Sequence, residues 1–204
     1  VVDNPKLSYE EYREKRKEGS EYRRVCFNKK DREKYGNIIP EGVNVLEAVK
    51  ENKWIYGCFD GCKSLKNINI PTSVRDIGYC CFEGCSTLSS IDIPSCVSVI
   101  DQCCFRYCSS LSSISIPSSV SIIGKNCFSK CSCLDTISIP TSVTKIGDNC
   151  FSHCFMLKKI SIPQVFKSRI EDLFKDGNGK GSIPCWCEIQ YEVLKWIPSG
   201  DKRV

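Results

Sequence analysis

Apolar residues recur along this chain at a spacing of 23 without a slip. Phe59, Phe82, Phe105, Phe128 and Phe151 share one column, and Leu65, Leu88, Leu111, Leu134 and Leu157 share a second. Paired isoleucines close each unit, from Ile68 and Ile70 to Ile160 and Ile162. A proline follows each pair, at Pro71, Pro94, Pro117, Pro140 and Pro163. Val74, Val97, Val120 and Val143, with Ile77, Ile100, Ile123 and Ile146, open the next unit.

The L-x-x-I-x-I-P segment alternates apolar and polar residues at its end, which predicts a strand buried on one face. Proline, with no N–H for a ladder, stops that strand. S-V-x-x-I-G predicts a second short strand, ended where glycine permits a turn at positive φ. C-F-x-x-C returns the chain by a tight turn or short helix. One such unit cannot bury its Leu, Ile and Phe alone, whereas stacked units share a continuous core. The expectation is a repeat solenoid, mainly β with short turns or helices. Strands about 4.8 Å apart make five or six coils a stack of roughly 25–30 Å.

The ends depart from the grid, as capping segments of an open solenoid should. Residues 1–36 are dense in charge. Ser8 with Glu11 predicts a capping box opening a helix from Tyr9 to about Arg24, with Leu7, Tyr9 and Tyr12 inward. Its charged face reads as a solvated cap or as a basic docking helix. Residues 37–163 form the solenoid, with 37–70 a degenerate first repeat. There Val43 and Leu46 stand at the offsets from Pro40 that Val74 and Ile77 have from Pro71. An insertion follows around Ala48–Trp54, with Trp54 covering the first coil. Residues 164–204 make a C-terminal cap: Ile170, Leu173 and Phe174 predict a short amphipathic helix, and Ile189 to Ile197, with Trp186 and Trp196, close the end.

Seventeen cysteines alter the picture most. Ten occupy two columns: Cys58, Cys81, Cys104, Cys127 and Cys150 precede the phenylalanines, and Cys62, Cys85, Cys108, Cys131 and Cys154 follow them. Zinc sites use cysteines spaced by two to four residues, but they need four ligands converging on one point. In a solenoid these columns run along the stack, one sulfur per coil. Cysteine behaves as a small, readily buried hydrophobe, so the ladder reads as packing. Cys80 and Cys103 share a further column, about 5 Å apart across one coil, which permits a disulfide without requiring one. Cys185 and Cys187 point to opposite faces, and Cys96 takes a serine place. Cys26 and Cys133 match no column. Free thiols imply a reducing compartment, hence an intracellular, cytoplasmic protein, with the cell surface or secretion as the alternative.

The remaining chemistry is thin. A net charge of +5 falls short of a nucleic-acid footprint, and no apolar run suits membrane insertion. Val1-Val2-Asp3-Asn4-Pro5 lacks the apolar stretch of a signal peptide, although secretion stays open because the sequence begins with Val. His153, the one histidine, reads as a surface residue without a catalytic partner. Asp176–Gly181 fails as a calcium loop because Lys180 and Cys187 stand where ligands belong. No catalytic residue, metal ligand or cofactor is expected.

The unit C-F-x-x-C-x-x-L-x-x-I-x-I-P-x-S-V-x-x-I-G resembles the BspA-type, or Treponema-type, leucine-rich repeat over about residues 54–163. Cysteine stands where many members have alanine before the phenylalanine, a flavour similar to repeats of Entamoeba-type protists. The resemblance implies a right-handed solenoid without catalysis, serving adhesion, surface display or scaffolding. The expected function is a non-enzymatic protein–protein interaction module, with a BspA-type surface adhesin as the alternative and a thiol-redox or metal-binding protein as a remote one. Its partner would be another protein. The candidate binding positions are the outward residues of the first strand: Asn67, Asn69, Ser90, Asp92, Ser113, Ser115, Thr136, Ser138, Lys159 and Ser161. This ladder is polar and lacks aromatic anchors.

Overall fold

The structure, a computed structural model, describes residues 7–11, 25–39, 43, 45–46, 49–51 and 54–193 apart from residue 182. It is a parallel-strand β-solenoid with the 23-residue repeat as its coil. Successive coils contribute to two sheets. The longer has seven strands in the order β1 (Leu7–Ser8), β2 (Val25–Phe27), β3 (Val45–Leu46), β6 (Asp76–Ile77), β7 (Val99–Ile100), β9 (Ile122–Ile123) and β11 (Lys145–Ile146). All seven pair in parallel, and the last four end the S-V-x-x-I segments, with Ile77, Ile100, Ile123 and Ile146 in register. The shorter sheet holds the L-x-x-I-x-I segments, β8 (Ser113–Ser115), β10 (Thr136–Ser138) and β12 (Lys159–Pro163), edged by β13 (Glu188–Glu192). Between the sheets runs the core.

Period-two alternation decides which side chains enter it. Ile114 and Ile137 are buried while the serines and threonine on either side are exposed. The short sheet loosens toward the N-terminus. Its coil-to-coil N–H···O distance is 2.7 Å at Glu188–Lys158 and 2.8 Å at Lys158–Asp135. It lengthens to 3.1 Å at Asp135–Ser112, 3.2 Å at Ser112–Ser89 and 3.4 Å at Ser89–Lys66. The Ile68–Ile70 segment accordingly forms no strand.

C-F-x-x-C forms turns rather than helix. The Phe82 N–H reaches across to the Cys104 carbonyl of the next coil at 2.9 Å, while Cys85 N–H closes the turn on the Phe82 carbonyl at 3.2 Å. The phenylalanine rings therefore stack along the solenoid axis. Phe59, Phe82, Phe105, Phe128 and Phe151 lie 5.2–5.8 Å apart with ring planes within 9°. Phe27 and Phe174 extend the column at either end, at 6.5 and 5.7 Å. Each fully buried Phe stabilises the fold by roughly 1.5–3 kcal/mol.

The glycine ending the second strand acts for a different reason from the one expected. Gly124 and Gly147 do not have positive φ. A Cβ at Gly124 would stand 2.4 Å from the Gln102 backbone nitrogen, and one at Gly147 2.3 Å from that of Lys125. Close coil-to-coil approach, not a left-handed turn, excludes a side chain there.

At the N-terminus the Ser8–Glu11 capping box is present, Ser8 N–H donating to Glu11 Oε2 at 2.9 Å and Glu11 N–H to Ser8 Oγ at 3.2 Å. Tyr9 packs edge-on against Phe27 and Tyr35. The rest of the expected helix, with Tyr12, lies outside the described residues. The long sheet continues into this region through β1 and β2. A second capping box, Asn28 with Asp31, opens helix α1 (Lys29–Tyr35). Val43 and Leu46 are buried, and Leu46 pairs with Ile77 in the register that their offsets from Pro40 predict. The insertion is an antiparallel hairpin of β4 (Val49–Glu51) and β5 (Trp54–Tyr56); the Trp54 side chain lies outside the described set. After Pro163 a 3-10 helix (Gln164–Arg169) and helix α2 (Ile170–Phe174) replace the second strand and turn. Among the described residues, no helix is long and apolar enough to cross a membrane.

Candidate functional site

The short sheet brings most of the expected binding positions together. Parallel pairing sets Thr136 beside Ser113 and Ser138 beside Ser115, all four exposed. Asp92 forms a bridge with Ser115, and exposed Asn67, Asn69 and Ser90 continue the face where the ladder loosens. A shallow depression of about 340 Å³ lies over Ser113, Ser115, Thr136 and Ser138. Short hydroxyls lose little rotamer freedom on contact and both donate and accept, so this surface suits hydrogen bonding to a partner.

Two positions are corrected. Ser161 is buried and Lys159 half-buried, although both were expected on the open face. The cause is β13, which pairs with β12 along its length and receives the Ser161 hydroxyl on Glu192 Oε1 at 2.5 Å. The C-terminal segment thus supplies a further strand at the end of the short sheet. Trp186, expected to close the end, is 60% exposed; Trp196 lies outside the described residues.

Exposed Phe155 and Met156 stand outside the expected binding face. They occupy columns where other coils carry Lys63, Ser86, Ser109 and Ser132, or Ser64, Thr87, Ser110 and Cys133. That departure from the column chemistry was the available signal. With Trp186, Phe155 lines a cavity of about 520 Å³ that also meets His153 and Asp176. His153 lies half-buried, its Nδ1 2.6 Å from Ser152 Oγ. Ser152 itself is 2% exposed, so its hydroxyl is screened from solvent. Asp176 is occupied by the Asn178 and Lys180 backbone N–H groups at 2.9 and 2.8 Å. The Lys180 bond chiefly holds its carboxyl below the usual carboxylate range.

All ten ladder cysteines are buried. The second column does more than fill space: Cys85, Cys108, Cys131 and Cys154 donate S–H to the carbonyls of Phe59, Phe82, Phe105 and Phe128 at 3.1–3.2 Å. Cys96, in the serine place, donates to the Val74 carbonyl as Ser119 does to Val97. Burial, above all, raises every ladder thiol above its ordinary value. A thiol held protonated is a poor nucleophile.

Residues 55–179 match the BspA type leucine rich repeat region in six copies. Among solved structures, a T. pallidum leucine rich repeat protein is 33% identical with a TM-score of 0.54, the match covering 61% of this chain and 56% of that one. A leucine-rich repeat protein from Bacteroides ovatus is 32% identical with a TM-score of 0.47, over 58% of this chain and 39% of that one. This chain therefore matches only about half the length of the Treponema protein. No curated protein matches it. The sixth copy reaches past Pro163 to the coil that Phe174 completes, 23 residues after Phe151. Repeat pattern, two-sheet solenoid and family match agree: the chain belongs to the BspA-type leucine-rich repeat family.

Proposed function

We propose that this chain is a protein-interaction module that takes its partner across the polar face of the short sheet. One observation carries the reading: parallel register places Ser113, Ser115, Thr136 and Ser138 as an exposed two-by-two array above a closed apolar core. Asn67, Asn69, Ser90 and Asp92 lengthen the array. Fold and family are of a typically non-enzymatic kind. A face of short polar side chains without aromatic anchors favours an extended polar segment held at modest affinity.

The test compares capture of binding partners by the whole chain and by a T136R/S138R variant, with thermal unfolding as the control for folding. The expected result is at least a tenfold loss of the captured partner with an unchanged unfolding curve. Equal capture by both proteins overturns the proposal.

The same reading assigns the module to a reducing compartment, supported by ten buried core thiols and by exposed Cys133 and Cys185. A surface adhesin is the rival, since adhesion is also served by this repeat family. Titration of the native, unreduced protein separates them: close to seventeen free thiols per chain supports the first, and extensive pairing supports the second.

A further inference from the structure

Cys80 and Cys103 stand apart from the other cysteines. They occupy the same place in successive coils, each one residue before a ladder cysteine. Both are buried, yet neither joins the apolar core that contains Cys81 and Cys104. Both have left-handed backbone, with φ of 53° and 56°. That conformation costs an ordinary residue about 1–2 kcal/mol and suits Gly or Asn. The next two coils do carry asparagine there, Asn126 and Asn149, at φ of 56° and 60°. Core packing and backbone preference both fail to account for cysteine at these two positions.

What the two thiols share is a carboxylate. Cys80 Sγ, Cys103 Sγ and a Glu83 oxygen all lie within 4.8 Å of one another. Among the described residues, no other trio of Cys, His, Asp or Glu donors converges in this way. Arg106 flanks the group, its Nη1 3.3 Å from Glu83 Oε1. A hydrogen bond from Cys80 lowers Cys103 against its burial and the nearby Glu83 charge, and Arg106 and Asn126 act with that bond. That bond to Cys103, followed by burial, raises Cys80. Two sulfurs and a carboxylate oxygen thus converge on one point between adjacent coils, with a guanidinium beside them.

We propose that Cys80, Glu83 and Cys103 bind one thiophilic divalent cation of the zinc type, through two thiolates and one carboxylate with water in the fourth position. Zinc–sulfur bonds of about 2.3 Å and zinc–oxygen bonds of about 2.0–2.2 Å set tetrahedral donor separations of roughly 3.5–3.8 Å. The trio therefore has to close by at most about 1 Å, within reach of small side-chain rotations. Two thiolates, a carboxylate and a divalent ion leave one negative charge, which Arg106 offsets. The thiol protons of Cys80 and Cys103 leave on binding, so uptake of the ion releases acid. Because Cys80 and Glu83 come from one coil and Cys103 from the next, the ion staples two adjacent coils.

The test uses the whole chain, reduced and stripped of metal, titrated with Co²⁺ as a spectroscopic probe. The expected result is one Co²⁺ per chain with a thiolate-to-cobalt charge-transfer band, displaced by one equivalent of Zn²⁺. Glu83→Gln weakens binding at least tenfold. The C80N/C103N double variant, whose asparagines copy Asn126 and Asn149, loses the band while its circular dichroism stays unchanged. Persistence of the band in that variant, or absence of a stoichiometric ion in the parent chain, overturns the proposal. So does a Cys80–Cys103 disulfide mapped in unreduced native protein, which would make the pair a crosslink.

Discussion

The ladder cysteines and the Cys80–Cys103 pair are one residue type in two opposed situations, a single position apart in the chain. Cys81 and Cys104 face the phenylalanine stack, where burial holds their thiols protonated. Cys80 and Cys103 sit at left-handed turn positions beside Glu83 and Arg106, where two sulfurs and a carboxylate oxygen converge within 4.8 Å. The difference teaches that cysteine count says little about chemistry until backbone geometry assigns each sulfur a neighbour. In this solenoid the repeat sequence builds the core, and the capacity for recognition lies at positions that the repeat leaves variable.

The comparison can be pressed hardest with pH. Cys108 and Cys150 are pushed by burial from about 9 up to about 12, and every other ladder thiol is raised too. Unfolded thiols lose protons first, so the unfolded state binds fewer protons than the native one as pH rises past about 9. Stability contributed by these thiols is complete below that pH and is lost toward pH 12. The slope is up to about 1.4 kcal/mol per thiol per pH unit. Denaturant midpoints measured in reductant should therefore fall steeply above pH 9, and the ladder thiols should add no slope between pH 6 and 8.

Next in size is the stack itself. Phe105→Ala should cost about 3–5 kcal/mol by chemical denaturation, because stacked neighbours on both sides prevent collapse of the cavity. Within the ladder, Cys104→Ser introduces a hydroxyl into the apolar core and should cost about 1–3 kcal/mol. Cys131→Ser should cost less than half as much, since its hydroxyl can replace the S–H donated to the Phe105 carbonyl. Smallest is the turn pair: without metal, C80N/C103N should stay within about 1 kcal/mol of the parent, by the same denaturation assay. A loss of several kcal/mol there would place the pair with the core and erase the contrast.

Much of this architecture is written in the spacing. Val43 and Leu46 announce the first coil by their offsets from Pro40, and β3 pairs with β6 in that register. The insertion between Leu46 and Phe59 shows as eight surplus residues and becomes the β4–β5 hairpin. Phe174 keeps the 23-residue interval from Phe151, but the 3-10 and α-helical residues before it hide the repeat because Ile170 falls one place late. Ser161 follows the pattern of an exposed position and is covered by β13, a strand from outside the repeat whose docking no periodicity encodes. Glu83 was beyond reach for a related reason. Its approach to two sulfurs depends on the left-handed φ of Cys80 and Cys103, residues that do not advertise that conformation as glycine does.

The most direct test of the claim that the ladder is core and not chemistry is timed alkylation of the native, reduced chain, followed by peptide mapping of all seventeen cysteines. Cys133 and Cys185, both exposed, should label within the first minutes, while the ten ladder cysteines stay unlabelled until denaturant is added. Ladder cysteines that label in native buffer as fast as Cys133 would contradict the account.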